Sequence, residues 1–185
     1  MLPVPYPEPP LAGSTFVLRP FRVADFEAAL TLSDDQVAGC WVEPLPADDG
    51  EAVVACFEES RAAGELLHLV IADRRSDDYL GEVMLAPAEH RVGEVGCCLI
   101  PAARGRGSAT EALRLFTDWA LSSLDLVRIE AIVSPENVAA LRMTENAGFR
   151  SEHGARSHRE IGGARVDAIV LARVHDDANR TLKPR

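Results

Sequence analysis

The chain has 185 residues, 47% of them hydrophobic and 26% charged, a composition typical of a globular domain with a substantial core. Its formal net charge of −10 argues against non-specific binding to a nucleic-acid backbone or an anionic membrane. The sequence has no apolar run of membrane-spanning length and no basic-then-apolar signal segment at its start, so we expect a cytoplasmic protein.

The first third of the chain predicts an irregular start, one strand and two helices. Residues 1–13 contain five of the twelve prolines and are expected to form an extended lead-in. Apolar spacing and capping residues predict four further elements: a strand over Ser14–Arg19, a helix over Val23–Leu32, a loop over Trp41–Pro46, and a helix capped by Asp48 and Asp49 that runs to Ala63.

The middle of the chain predicts an antiparallel meander, because three strand patterns at 66–72, 79–86 and 92–100 are joined by short turns. A glycine-rich turn, a helix over 108–122 and a strand over 126–133 follow. A strand, a crossover helix and a second strand form a βαβ unit, so strands 92–100 and 126–133 should be parallel.

The last third predicts a short helix over 138–146 that Gly148 ends, and two final strands, from Phe149 and over 165–171, around a polar loop. The whole pattern predicts a mixed α/β sheet with helices on both faces.

The cysteines and histidines have no metal-ligand spacing, so we expect no metal site. Cys97 and Cys98 are adjacent on a predicted strand, and their side chains therefore point to opposite faces. We interpret the thiols as reduced and mostly buried. The histidines are interpreted as surface or loop residues, with two of them as candidate substrate contacts. They are His68, His90, His175 and the two candidates, His153 and His158.

The run Arg104–Ala109 has the features of an anion-binding turn. A strand leads into it and a helix follows, so the free N–H groups of the first helical turn point at a ligand. Gly105 and Gly107 allow close approach, and Arg104 and Arg106 add positive charge. The run lacks the Gly-Lys-Ser/Thr ending of a P-loop and the full Gly-x-Gly-x-x-Gly spacing of a Rossmann turn. Alone, it predicts either a phosphate site or a plain glycine-rich connection.

Arg104-x-x-Gly107-x-Ala109 resembles the acyl-CoA pyrophosphate loop of the GNAT acetyltransferases, Gln/Arg-x-x-Gly-x-Gly/Ala at the same strand–helix junction. Residues 127–149 resemble the family's second block, in which an Asn starts a helix that Ala-Gly-Phe closes. Leu18-Arg-Pro-Phe-Arg-Val-Ala-Asp25 and residues 161–167 are similar to the Rim-type subgroup, which acetylates ribosomal-protein N-termini. The resemblance implies one domain over 14–173, with a mostly antiparallel sheet of about seven strands and about four helices, followed by a tail over 174–185.

The resemblance also implies that acyl-CoA binds where strand 92–100 meets helix 108–122. Amides of the turn after Arg104 would hold the pyrophosphate, and the backbone of Leu99 and Ile100 would pair with the pantetheine arm like an added strand. Asn137 matches the family Asn that touches the pantetheine or thiol end, although it is also interpretable as a plain helix cap. The amides that would hold the pyrophosphate are those of Gly105, Arg106, Gly107, Ser108 and Ala109.

Transfer to an amine requires a base, because only the neutral amine attacks a thioester. Glu94 is the first candidate, since related enzymes often carry a base glutamate there, and Glu82 on the neighbouring strand is the second. Two residues depart from the family pattern. Ala140 stands where many relatives have Ser, and Leu171 aligns with a general-acid Tyr.

We therefore expect an acetyl-CoA-dependent N-acetyltransferase that moves the acetyl group directly to a primary amine in a ternary complex. The acceptor is open between a small-molecule amine and a protein N-terminus, and a homodimer is also left open. The alternative is a non-catalytic acyl-CoA sensor of the same fold, which Ala140 and Leu171 favour. A nucleotide-binding enzyme is a third option, against which the missing P-loop lysine argues.

Overall fold

The computed structural model describes residues 2–33, 45, 49–161 and 164–175, which form one seven-stranded sheet and four α-helices. The predicted α/β fold class is confirmed. The strands are β1 (Phe16–Arg19), β2 (Leu67–Asp73), β3 (Tyr79–Pro87), β4 (Val92–Leu99), β5 (Arg128–Val133), β6 (Arg150–Ile161) and β7 (Ala164–Val174). The helices are α1 (Phe26–Ser33), α2 (Gly50–Ala63), α3 (Ser108–Ser123) and α4 (Val138–Asn146).

The strand order is β1-β2-β3-β4-β5-β7-β6. The first four strands pair antiparallel in sequence order, which confirms the predicted meander. β4 and β5 are parallel, as the βαβ pattern predicts, and β7 pairs antiparallel with both β5 and β6. The sheet is therefore mostly antiparallel, with its one described parallel pair at the centre.

β4 and β5 separate soon after they begin to pair. Their ladder contains three residue pairs, the last of which is Glu94 with Glu130, whereas β4 pairs with β3 up to Leu99. One edge of β4 after Glu94 therefore has no strand beside it within the described part of the chain. This divergence opens a wedge in the middle of the sheet.

Helices cover both faces of the sheet, as predicted. α3 and α4 pack on the face that presents Leu67, Ile129 and Leu171, and α1 and α2 pack on the face that presents Val70 and Ala72. Two helices end or begin at the capping residues that the sequence predicts. Asp49 Oδ1 accepts a hydrogen bond of 2.9 Å from the amide of Ala52 at the start of α2, and Gly148, with φ of +99°, follows α4. Residues 41–44, 46–48, 162–163 and 176–185 lie outside the described residues, so the predicted loop over Trp41–Pro46, the cap by Asp48, the loop before β7 and most of the tail stay predictions.

The lead-in packs against the sheet and α2. Val4 is buried, its amide donates to the carbonyl of Arg61 at 3.0 Å, and the guanidinium of Arg61 lies 4.6 Å from the centroid of the Tyr6 ring. The carbonyl of Leu11 accepts a bond of 2.8 Å from Leu18 of β1. This segment is irregular, as predicted, and it also contributes apolar side chains to the core.

His68 is buried on β2, so its interpretation as a surface or loop residue was wrong. β2 lies between β1 and β3 with helices over both faces, and consequently every residue from Leu67 to Ala72 is buried. A histidine tolerates this position because Glu82 of β3 supplies a partner for its Nε2 atom. The other four histidines are exposed, as expected, at 90, 153, 158 and 175.

Candidate active site

A cleft of about 530 Å³ occupies the wedge between β4 and β5. It is lined by β4 from Val95 to Leu99, by the glycine-rich turn, by the end of β5 and by one face of α4. A second cavity, of about 560 Å³, lies under the prolines of the lead-in, and its lining includes neither the turn nor a candidate carboxylate. We place the candidate site in the wedge, because backbone donors, Asn137 and the free edge of β4 converge there.

The glycine-rich turn forms an open cradle of backbone N–H groups. Gly105 and Gly107 have φ of +78° and +81°, a left-handed conformation that favours glycine, and a Cβ at either would meet no atom within 4 Å. The amides of residues 105–109 have no hydrogen-bond partner among the residues that the structure describes. They lie at the N-terminus of the 16-residue α3, whose dipole adds partial positive charge. This arrangement fits a phosphate or pyrophosphate group.

Three arginines lie on the turn or line the cleft, and they differ in what they contact. Arg104 Nε donates a bond of 2.9 Å to the carbonyl of Leu99, which ties the turn to the end of β4. Arg106 is exposed on the turn. Arg142 is exposed on α4 and lines the cleft, so it faces the site rather than unrelated solvent.

The free edge of β4 begins one residue earlier than the sequence suggests. The N–H of Ile100 donates to Leu80 at 2.9 Å, and its carbonyl accepts from Ala103 at 3.0 Å, so both backbone groups are engaged. Backbone groups alternate in direction along an antiparallel strand, so those of Leu99 and Cys97 point away from β3 and toward the cleft. The backbone groups of Cys97 and Leu99 therefore face the cleft, where the carbonyl of Leu99 already accepts the bond from Arg104, whereas both groups of Ile100 are engaged outside it. The pairing of Leu99 with a ligand stays a prediction. The sequence could have indicated Cys97, because backbone groups alternate in direction along a strand and Cys97 lies two residues before Leu99.

Asn137 caps α4 and also lines the cleft. Its Oδ1 accepts a bond of 3.0 Å from the amide of Ala140 as the N-cap of α4, and its side chain also lines the cleft. The cap uses only the oxygen, so the Nδ2 hydrogens remain available to a ligand.

Thr144, which the sequence analysis missed, is buried and lines the cleft from the same helix. The sequence could have indicated Thr144, because it follows Asn137 by seven residues, about two helical turns, and the two side chains therefore lie on the same face of the helix. Leu171, by contrast, is fully buried in the core and does not line the cleft.

The two candidate carboxylates differ sharply in exposure. Glu94 precedes the cleft-lining residue Val95, and its side chain is 47% exposed. Its Oε1 accepts a bond of 2.7 Å from Nη2 of Arg159. Glu82 is only 3% exposed, on the sheet face covered by α1 and α2, and its neighbours are His68, Tyr79 and Cys98. Glu94 is therefore the carboxylate that a substrate can reach.

Glu82 is the centre of a buried polar cluster. Its Oε2 lies 2.9 Å from His68 Nε2 and accepts a bond of 3.0 Å from the Tyr79 hydroxyl, and Cys98 Sγ lies 3.8 Å from Oε1. Burial acts to raise the pKa of Glu82, but the charge and hydrogen bond of His68 and the bond from Tyr79 outweigh it, and the pKa is lowered. Phe57 stacks on the His68 ring at 4.0 Å, so aromatic rings cover this cluster.

Neither thiol of β4 is activated. Burial, with a smaller contribution from the charge of Glu82, raises the pKa of Cys97 to about 12. The same two causes raise the pKa of Cys98 well above its usual value. The two side chains point to opposite faces as predicted, with Cys97 Sγ 3.9 Å from the carbonyl of Ala109 and Cys98 Sγ near Glu82. At neutral pH both thiols are protonated and weak nucleophiles.

The described residues contain no group of three or more His, Cys, Asp or Glu that is arranged to hold a metal ion. The same part of the chain contains no helix with the length and hydropathy needed to cross a membrane.

Comparison with known proteins places these features in a family. Residues 15–150 match the acetyltransferase (GNAT) domain. YjcK of Bacillus subtilis, named as a probable N-acetyltransferase, is 33% identical over 177 residues, covering 90% of this chain and 98% of that protein. The L-amino acid N-acetyltransferase AaaT of Escherichia coli is 25% identical over 175 residues, with 87% and 99% covered.

Among solved structures, Mycobacterium smegmatis RimJ in complex with CoA-disulfide has a TM-score of 0.76 and 25% identity, covering 89% of this chain and 84% of that chain. The matched GNAT segment, residues 15–150, contains the turn, the free edge of β4, Asn137 and both candidate carboxylates.

Proposed function

Because the chain belongs to the GNAT acetyltransferases and is an N-acetyltransferase, we propose that it transfers an acetyl group from acetyl-CoA directly to a primary amine. The observation that carries the proposal is the cradle of free amides at Gly105–Ala109 beside the unpaired edge of β4. A ligand that uses both features must have a phosphate group and an extended arm with amides. Acetyl-CoA has both.

The donor would be held almost entirely by the backbone. The amides of residues 105–109 would bind the pyrophosphate, and Arg106 on the turn and Arg142 on the wall of the cleft would add positive charge. Cys97 and Leu99 would pair with the pantetheine arm, as a peptide strand adds to a sheet edge. The Nδ2 group of Asn137 would reach the same arm from α4.

Glu94 would act as the general base. It would accept one proton from the acceptor ammonium, the amine nitrogen would form the new C–N bond, and the C–S bond would break with release of the thiolate. The second proton that the nitrogen loses would pass through water to that thiolate. A free thiol has a pKa of about 8.5, so the thiolate is a fair leaving group and takes its proton from water. The Cys97 amide, which faces the cleft, would stabilise negative charge on the carbonyl oxygen of the thioester. The protonated thiols of Cys97 and Cys98 argue against an acyl-cysteine intermediate.

Isothermal titration with acetyl-CoA tests the donor site. We expect saturable binding, and we expect Gly107→Ala to weaken it about tenfold or more, because the Cβ occupies ligand space and disfavours the left-handed φ. Gly154→Ala is the matched control, because its Cβ would make only an ordinary contact of 3.9 Å with Ile169. No binding at high micromolar acetyl-CoA would refute the donor assignment, and equal affinities for the two variants would move the site elsewhere.

A release assay for free thiol separates an enzyme from a sensor. The panel should contain free L-amino acids, polyamines and peptides with a free N-terminus, each mixed with acetyl-CoA. An enzyme releases thiol with at least one of these amines, whereas a sensor binds acetyl-CoA and releases none. The sensor hypothesis depended on Ala140 and Leu171, which stand where many relatives have Ser and Tyr. The support from Leu171 is weaker, because this residue is buried in the core and does not line the cleft.

The acceptor class belongs to the proposal as well. The block Leu18–Asp25 resembles Rim-type enzymes, and RimJ has a similar fold, which supports a protein N-terminus. The relative AaaT is named for L-amino acids and supports a small acceptor. Competition between a peptide and its free N-terminal amino acid in the release assay decides between the two classes.

A further inference from the structure

We propose that Arg159 is a positioning residue for Glu94, an inference that rests on the proposed role of Glu94 as the base. Arg159 Nη2 binds Oε1 of Glu94 at 2.7 Å, and Oε2 has no hydrogen-bond partner among the described residues. One oxygen is therefore held and the other is left to accept the proton of the amine. The side chains are 31% and 47% exposed, and an ion pair with such exposure adds little stability, so its main consequence is the orientation of the carboxylate.

The position of Arg159 requires a bent hairpin. It lies on β6, three places from β4 in the strand order, and it pairs with Val166, six residues along β7 from the level of Glu94. In a flat sheet these offsets correspond to about 14 Å across the strands and about 20 Å along them. An ion pair of 2.7 Å across that separation means that the far end of the β6–β7 hairpin folds back over the sheet toward β4. The hairpin thus brings a cation to the mouth of the wedge that the sheet itself could not supply.

A bulge in β6 produces the bend. The pairing of β6 with β7 shifts register between Ala155 and Arg159, and Ser157 within the shift has φ of +52°. The Ser157 amide donates to Asp167 Oδ1 at 2.9 Å, and its carbonyl accepts a bond from Arg165 Nη2. Bulges bend a strand and redirect the side chains that follow. The two bonds to Ser157 fix the conformation that directs Arg159 toward Glu94.

The neighbouring charges explain why Glu94 needs a partner of its own. Glu130 lies directly beside Glu94 in the β4–β5 ladder, and two adjacent carboxylates repel each other. Arg128 already binds Glu130 at 2.7 Å and holds both oxygens of Glu152, at 2.9 Å and 2.6 Å. Without Arg159, Glu94 would turn away from Glu130 or compete for Arg128, and in either case Oε2 would lose the orientation that the ion pair gives it.

Steady-state kinetics of the full chain test the inference, with acetyl-CoA and the panel amine that is acetylated fastest. We expect Glu94→Gln to lower kcat about 100-fold. We expect Arg159→Gln to lower kcat about tenfold, with KM for acetyl-CoA within about twofold of wild type. Arg159→Lys, which retains the charge, should recover most of the loss. Arg22→Gln is the control and should retain wild-type kcat, because it breaks an exposed ion pair with Asp77 in the turn before β3, at the opposite end of β3 from the residue that pairs with Glu94.

The double variant Glu94→Gln/Arg159→Gln identifies how Arg159 acts. If Arg159 works through Glu94, the second substitution has no further effect on kcat. A further drop would mean that Arg159 contacts the substrate itself and would overturn the inference, as would wild-type kcat for Arg159→Gln when Glu94→Gln is impaired. Wild-type kcat for Glu94→Gln would instead refute the proposed base, and absence of turnover with every amine would refute the proposed function; either result removes the inference too.

Discussion

Replacement of Gly81 by alanine tests the contact between β3 and β4 on which the site depends. Gly81 has φ of +155°, and a Cβ there would lie 2.1 Å from the carbonyl oxygen of Cys98 and 2.7 Å from the Cα of Leu99. Real Cβ contacts essentially never fall below 3.0 Å, so β4 must move by at least 0.9 Å. Both obstacles are backbone atoms, and no rotamer change relieves them.

The expected cost follows from two terms. Overpacking in a closed structure costs about 1–3 kcal/mol. A side chain in a backbone region that only glycine favours costs about 1–3 kcal/mol more. We therefore expect Gly81→Ala to lower the free energy of unfolding by about 4 kcal/mol, a large share of the stability of a domain of this size. Gly154→Ala, whose Cβ would meet only Ile169 at 3.9 Å, should change it by less than about 0.5 kcal/mol.

Urea denaturation followed by circular dichroism measures the stability of both variants. The urea midpoint of Gly81→Ala should lie clearly below that of Gly154→Ala, with the same dependence of the free energy of unfolding on urea concentration. Since the displaced residues of β4 form the proposed pantetheine edge, the folded fraction of Gly81→Ala should also bind acetyl-CoA more weakly. Equal midpoints for Gly81→Ala and Gly154→Ala would show that β3 and β4 do not approach as closely as described.

Three further variants test single groups. Asn137→Asp should keep the cap of α4 and the thermal midpoint but weaken acetyl-CoA binding in calorimetry, because it loses the Nδ2 donors; equal affinity would restrict Asn137 to capping. The pKa of Glu82 is lowered, so its contribution to stability is present above pH 4.5 and is lost as the pH falls below that value; urea midpoints of Glu82→Gln should therefore show a smaller loss on acidification than wild type. Cys97→Ser should keep kcat within about twofold, and mass spectrometry should find no acetyl group on Cys97 after incubation with acetyl-CoA, since its thiol has a pKa of about 12.

Local patterns in the sequence predicted much of the fold and the position of the turn and helix start that form the candidate site. The meander, the βαβ unit and the turn at Arg104–Ala109 depend on residues close together in the chain, and each has a turn or cap residue that marks its limits. Asn137 is a similar case, because capping and the cleft both depend on the start of one helix. These features could be predicted because the spacing of residues along the sequence is enough to determine their local geometry.

The register of the strands could not be predicted from local sequence patterns. That Glu82 faces His68 and Cys98 depends on how β2, β3 and β4 are aligned, and a shift of one residue would have placed Glu82 on the other face. The ion pair of Glu94 with Arg159 joins residues 65 positions apart and depends on a bulge. The sequence shows a histidine and two glutamates on strands, but only the assembled sheet shows which carboxylate is buried and which is accessible.

The divergence of β4 from β5 explains how one opening can serve two substrates. Cys97 and Leu99 face α3, whereas Glu94 and Gly96 are on the opposite face of the same strand. Because no strand fills the gap beyond Glu94, a thioester that lies along the edge of β4 is reachable from both faces. The donor would enter from the side of α3 and the amine from the side of Glu94, so neither blocks the other. The proposed direct transfer in a ternary complex would therefore require no movement of the sheet, and the paired carboxylate of Glu94 would stand on the side from which the amine arrives.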